Sequence, residues 1–472
     1  MLESTLHMHR YGHLSWRSCF GKGNQSLNGT ARSPWTVGLC VAVCSALIWI
    51  ALSGLRPLWL DEIQQLLITR QPSVSHLISA VPQSSGASPL GYLVQQFALQ
   101  ATGYSLRLAR LPEALFGGAA VFVVFLLACE LDVESPWLSA VAFALFPMIT
   151  RYSTESRVYM IALFWSVLAT YIYVKMTQRP NTQIAWWYTV VMVAAIYSQP
   201  YAASVGVAHV LWSLVQKEKK PMIYGTLALI LTAAAYLPWY LRSRGGWIEG
   251  ITREQFFYSF SAGTPLMIFR EILGAGYWGS GLLVVLGILA LGKRRLEART
   301  RGLCILLIAV PIIVALCVDA WSDYFIAVRQ FLWVLPSIAI LIAAFLQGQR
   351  LEVYVLSGVL GVICLSQSYK YFRAPAEDWG AVAAVVHREV GEGACFLSIP
   401  PQHRPYYTFF EPDLDAKRCE PTTRRMAVAV SPYASKSDQQ TAVSSLLFLG
   451  FVVNSENAWG RSRILSLSRD AP

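Results

Sequence analysis

The tetrapeptide Trp59-Leu60-Asp61-Glu62 sets two carboxylates side by side just after the first long apolar run of the chain. A carboxylate at a membrane surface, beside apolar walls, is suited to general-base work. The same residues also fit a helix start, with Asp61 as N-cap and Gln64 at the third helical position completing a capping-box pattern. The two roles are compatible. A second cluster, Arg151-Tyr152-Ser153-Thr154-Glu155-Ser156-Arg157-Val158-Tyr159, packs two guanidiniums, a carboxylate, two phenols and three hydroxyls between two apolar runs. Arginine suits bidentate phosphate contact; the competing reading is a solvated turn with interfacial tyrosines. A third stretch, Asp323 to Gln330, carries Arg329 into an apolar run, where it either snorkels to headgroups or meets a phosphate. Taken alone, that stretch favours snorkelling.

Other chemistry is not signalled. There is no P-loop, dinucleotide fingerprint or nucleophile triad, and no cysteine or histidine spacing that suits a metal. His7, His9 and His13 sit in a loose polar tail and read as solvated. Gly245-Gly246 and Gly274-Ala275-Gly276 read as turns and helix-packing sites. Seven of the nine cysteines lie in the tail or in apolar runs, where a thiol behaves as a small hydrophobe. Cys395 and Cys419 are able to pair if the C-terminal region is extracytoplasmic.

The elements that must position these residues follow from composition. The 472 residues are 55% hydrophobic and only 14% charged, against about 25% charged for a soluble chain. Disorder, collagen-like repeats and a disulfide-rich secreted scaffold are excluded. The expected fold class is an α-helical polytopic membrane protein of about eleven transmembrane helices, with a small C-terminal α/β extracytoplasmic domain. Apolar stretches lie at about 35–55, 109–130, 136–150, 158–176, 184–198, 200–216, 222–241, 273–292, 302–320, 325–346 and 351–369. The stretches 136–150 and 184–198 fall short of the roughly 17 residues a spanning helix needs, and 200–216 only just reaches it. Two amphipathic stretches, near 62–81 and 89–102, are expected to lie along the interface.

Charge sets the orientation. The formal charge is +11, yet residues 371–472 hold 11 Lys/Arg against 11 Asp/Glu, so the excess lies in 1–370. The excess therefore suits membrane orientation and not nucleic acid. Basic clusters at Lys175/Arg179, Lys217/Lys219/Lys220, Lys293/Arg294/Arg295/Arg299/Arg301 and Arg350 fall at alternate loops, as cytoplasmic connections do. The short loop 131–135 dissents. The polar tail 1–34 is then cytoplasmic and is read as disordered. Residues 35–370 form the membrane domain, with a long first outer loop at 56–108. Segments 151–157, 242–272 and 319–324 face outward together with 371–472. In that last region the patterns predict helices over Asp378–Val390 and near 438–449. Strands are predicted at Ala394–Ile399, Met426–Val430 and Ile464–Leu467.

The order of motifs resembles the GT-C integral-membrane glycosyltransferases, in the branch of protein O-mannosyltransferases and lipid A aminoarabinose transferases. The resemblance rests on the Asp61-Glu62 pair closing the first helix and on Ser88-Pro89-Leu90-Gly91-Tyr92. It continues through Leu108-Ala109-Arg110-Leu111-Pro112-Glu113-Ala114-Leu115, then Phe146-Pro147 leading to Tyr152 through Tyr159. It is close over 35–180, loose over 181–370, and a matter of domain placement beyond. It implies a GT-C-like fold and an inverting transfer from a polyprenyl-phosphate-linked sugar to a protein, lipid or glycan acceptor. The reaction would run at the outer face of the inner (plasma) membrane, with no cofactor and no dedicated metal. By the same resemblance Asp61 matches the catalytic acid of the first loop and Glu62 its neighbour. Glu155, Arg157 and Tyr159 fall in the second outer motif, and Arg329 matches an arginine that meets the lipid phosphate. Ser88 stands where relatives commonly have His or Lys, and Gly91 where an aromatic is frequent. The competing classes are a transporter or lipid flippase and a non-catalytic relative acting in envelope assembly. A transporter would keep paired charges at mid-membrane. Ionisable side chains are nearly absent inside the apolar runs, and Glu113, Asp319 and Arg329 sit near helix ends.

Overall fold

The computed structural model describes residues 34–84, 87–254, 263–291, 298–322, 327–346, 351–375, 377–415, 419 and 423–469. The N-terminal tail and residues 323–326 of the third motif lie outside the described residues. Helices follow one another as α1 (Pro34–Ser53), α2 (Leu60–Thr69), α3 (Val74–Ala80), α4 (Pro89–Ala101), α5 (Leu111–Glu130), α6 (Pro136–Leu145) and α7 (Pro147–Ser153). Next come α8 (Tyr159–Gln178), α9 (Thr182–Ser198), α10 (Ala203–Val215), α11 (Lys219–Glu254), α12 (Thr264–Glu271) and α13 (Gly276–Leu291). The last long ones are α14 (Ala298–Ser322), α15 (Leu335–Leu346) and α16 (Leu351–Arg373).

Over their described residues the eleven apolar stretches fall largely on helix, and the chain is a helical, multi-pass membrane protein. Among the described residues seven helices are long and apolar enough to cross a membrane, and three further apolar helices are shorter. The stretch 136–150 is not one helix. Phe146 is extended, and Pro147 opens α7 as its first residue, because proline lacks the N–H that a continuing helix would need. Large apolar side chains stay exposed on α1, α11 and α16, among them Leu47, Ile230 and Val362. Such surface is intolerable in water and ordinary in lipid.

The described residues gather into two compact units, the first made of those between 34 and 50 together with those within Ile78–Thr154 and Val158–Ser368. Its helices approach closely where side chains are small. A Cβ on Gly118 would lie 2.8 Å from Ala46, so α5 and α1 meet only because glycine stands there. The second unit combines Ala51–Leu77, Glu155–Arg157 and Tyr369–Pro472. The stretch around Asp61 and the Glu155–Arg157 link thus share a compact body with the C-terminal region.

That body holds a four-stranded sheet of β1 (Cys395–Ile399), β2 (Arg425–Val430), β3 (Val452–Trp459) and β4 (Ser462–Ser468), in the order β1-β2-β4-β3. β1 runs parallel to β2, while β4 runs antiparallel to both β2 and β3. Two helices, α17 (Trp379–Gly391) and α19 (Lys436–Phe448), flank the sheet, and the short α18 (Arg404–Thr408) follows β1. Met426, Val428 and Val430 meet Leu446 of α19. The residues between them, Ala427 and Ala429, are also fully buried, as alternation requires of a strand covered on both faces. The Asp378 carboxylate caps α17 by accepting the Ala381 N–H at 2.9 Å. Three strands and both helices lie where the patterns predict them. β3 is unpredicted: as an edge strand exposed over nearly its whole length, it shows no apolar alternation.

Candidate functional site

The start of α2 organises the site. The helix begins at Leu60, with Trp59 as its N-cap, so Asp61 is not the cap but the second residue of the first turn. The capping is done by Glu62, whose Oε2 accepts the Trp59 N–H at 3.3 Å. Its Oε1 accepts the Ser156 N–H at 2.6 Å. Glu62 is wholly buried, and these backbone bonds supply the partners that a desolvated carboxylate requires. It therefore fastens the 155–157 link to the helix start. Two carboxylates at this end of the helix also suit its dipole.

Asp61 is left the more open of the pair, 21% exposed. Arg157 donates from Nη1 to the Asp61 carbonyl oxygen at 2.9 Å and places Nη2 3.5 Å from Oδ2 of the carboxylate. One guanidinium thus grips backbone and side chain of the same residue. Glu155, 1% exposed, accepts from the Tyr371 hydroxyl at 2.6 Å, with Arg56 Nη1 at 4.0 Å. The Arg56 guanidinium lies 3.7 Å from the centre of the Tyr371 ring. The structure therefore brings together Asp61, Glu62, Glu155 and Arg157.

Residues that the sequence did not nominate complete this cluster. Arg56, Tyr371 and Glu377 belong to it, and Tyr433 stands behind Glu377. Burial pushes the Glu377 carboxyl above its ordinary range, and the negative charge of Asp61 adds to that; bonds from Trp379, Tyr433 and Leu60 pull the other way. A hint was present in the run Pro375-Ala376-Glu377-Asp378-Trp379, a second pair of adjacent carboxylates, this one just ahead of a helix.

Ser88, Tyr159 and Arg329 belong to the first unit. The Ser88 hydroxyl is buried between α9 and α11, donating to the Ile196 carbonyl at 3.2 Å and lying 3.0 Å from the Tyr236 hydroxyl. Tyr159 is buried edge-on to Tyr152, 5.0 Å between ring centres, and the Arg329 guanidinium lies 5.8 Å from its ring centre. Gly91 is explained by space, since a Cβ there would stand 2.3 Å from Val158 Cγ1. The same unit contains a cavity of about 660 Å³ walled by Leu90, Leu93, Val190, Val193 and Trp239, with Arg242 on its margin. Among the described residues, no group of three or more His, Cys, Asp or Glu side chains is arranged to hold a metal ion. Cys395 and Cys419 form a disulfide across a Cα separation of 5.4 Å.

No protein-family model and no curated protein matches the chain. Among solved structures it is similar to ArnT from Cupriavidus metallidurans bound to undecaprenyl phosphate. There the identity is 14%, the match covers 92% of this chain and 98% of that one, and the TM-score is 0.45. It is also similar to the Archaeoglobus fulgidus oligosaccharyltransferase in complex with zinc and sulfate, at 13% identity and a TM-score of 0.49. That match covers 78% of this chain and 61% of the oligosaccharyltransferase.

Proposed function

We propose that the chain is an inverting glycosyltransferase. It moves a sugar from a polyprenyl-phosphate-linked donor to an acceptor at the outer face of the inner membrane. The observation that carries the reading is the Asp61–Arg157 pair: a partly open carboxylate held by a guanidinium on a helix start whose other carboxylate is spent on backbone bonds. Asp61 takes the proton of the acceptor hydroxyl as that oxygen attacks the anomeric carbon. The bond from the anomeric carbon to the phosphate oxygen breaks on the opposite face, and its electron pair leaves with the phosphate. Arg157 supplies cationic stabilisation to the charge that develops. Such a donor is already activated, so the reaction needs no nucleotide site.

Two further features support a lipid donor. Arg329 matches the motif position assigned to the lipid phosphate, and the apolar cavity edged by Arg242 offers walls suited to an isoprenoid chain. The test is lipid co-purification read by mass spectrometry, wild type against Arg329→Ala. A polyprenyl phosphate or its glycosylated form, bound to wild type and depleted in the variant, is expected, and an attached sugar would identify the donor. Absence of such lipids from folded wild-type protein would overturn the reading.

A further inference from the structure

The N-terminal N–H groups of a helix have no partner within it and are met by water, by a cap or by another part of the chain. In α2 the Leu60 N–H is met by the Glu377 carboxyl, Oε2 accepting at 3.2 Å across a sequence separation of 317 residues. The same oxygen accepts from the Trp379 indole, and Oε1 accepts the Tyr433 hydroxyl at 2.7 Å. Glu377 is 4% exposed and its backbone bridges to Gly460. A carboxyl so deeply withdrawn from water is costly unless fully hydrogen-bonded, and here three donors from three parts of the chain converge on it.

The donors are not scattered. Tyr433 follows the carboxyl end of β2, where its N–H donates to the Ser431 hydroxyl at 3.1 Å, and Ser431 in turn lies 2.8 Å from His403 Nδ1. The Ser431 N–H donates to Ile399 at the carboxyl end of β1. Open α/β sheets present their working residues at the carboxyl ends of parallel strands. In this sheet that edge is joined, through Glu377, to the residue immediately before Asp61.

We infer that Glu377 is a positioning residue for Asp61, fixing the first turn of α2 against the carboxyl end of the β1–β2 pair. The inference rests on the proposed transferase reading and adds to it a working role for the C-terminal region. That region holds the base in place. Displacement of a catalytic group by about 1 Å costs on the order of 10²-fold in rate, and loss of the tie frees the turn that carries Asp61.

Two substitutions separate geometry from bulk. Glu377→Gln keeps an oxygen for Leu60 and Trp379 and turns an amide donor toward the Tyr433 oxygen, whereas Glu377→Ala removes all three bonds. The first readout is hydrogen–deuterium exchange of the full chain in detergent. Glu377→Ala is expected to speed exchange in peptides covering 58–69 while β1, β2 and β4 stay protected, and Glu377→Gln to restore wild-type exchange. The second is transfer from a panel of undecaprenyl-phosphate-linked hexoses and pentoses. Glu377→Ala is expected to lower kcat by about 10²-fold with donor KM little changed, and Glu377→Gln to stand nearer wild type than Glu377→Ala. Unchanged exchange at 58–69 in Glu377→Ala overturns the tie. Faster exchange with an undiminished kcat overturns the positioning role. If wild type itself uses no donor in the panel, the transferase reading and the catalytic meaning of the tie fall together, while the exchange data still decide whether the tie exists.

Discussion

Asp61 and Glu62 are adjacent and chemically alike, yet their surroundings give them different tasks. Glu62 has both oxygens committed to backbone N–H groups, and Asp61 keeps an exposed edge beside Arg157. General-base catalysis contributes about 10²–10⁴-fold, so Asp61→Asn should lower kcat by that order. The protein should still elute as a monodisperse species in detergent, because the amide keeps an oxygen for Arg157. Full retained activity would remove Asp61 as base. At this scale the sequence was legible wherever chemistry was crowded into neighbouring positions, as in 59–62 and 151–159. It was illegible for Tyr371 and Glu377, which acquire meaning only from partners 216 and 317 positions away. Arg56 meets Glu155 and Tyr371 in the same way, through the fold alone.

At the scale of elements, periodicity recovered the helices and the covered strands because those elements bury apolar faces. Met426–Val430 and Ile464–Leu467 are legible for that reason, and the edge strand β3, with polar Asn454, Glu456 and Asn457, is not. The placement of the α2 start was also missed. Asp61 looks like a cap by residue type, but the cap belongs to Trp59 and Glu62. The junction between α2 and the sheet carries a pH signature. Glu377 holds its proton more tightly in the folded state than its ordinary value of 4.5 would give, chiefly through burial, with Asp61 adding repulsion. Tyr433, Trp379 and Leu60 donate to it, and Tyr407 lies within its electrostatic reach. A carboxyl whose folded pKa is raised stabilises the fold at low pH, and that contribution is lost as pH rises through the raised value. Thermal unfolding of wild type and Glu377→Gln, compared between about pH 4 and pH 8, should therefore show a gap that moves in favour of the variant as pH rises. A pH-independent gap would mean that the Glu377 carboxyl has the same pKa in the folded and unfolded chain, and would remove the raised value.

For the whole molecule, orientation and redox chemistry bear on the same question from independent directions. The alternation of basic loops predicts an outer-side location for residues 371–472. The Cys395–Cys419 disulfide lies in that same region, and such bonds persist in oxidising compartments. The free cysteines of the described residues lie on the membrane helices, Cys304 and Cys364 buried within them and Cys40 exposed on α1. The bridge closes a loop with a sequence separation of 24, and loop-closure entropy makes it worth about 3 kcal/mol. It thus stabilises the sheet that holds the Asp61 turn. In intact spheroplasts a membrane-impermeant phosphine should expose both thiols to a polyethylene-glycol maleimide, giving a doubly shifted band over the unreduced sample. The Cys419→Ser variant should label at Cys395 without reductant and unfold at a lower temperature. Labelling that requires lysis would place the C-terminal region, and Asp61 with it, on the cytoplasmic side. Donor lipids presented only at the outer face could not then reach the proposed base.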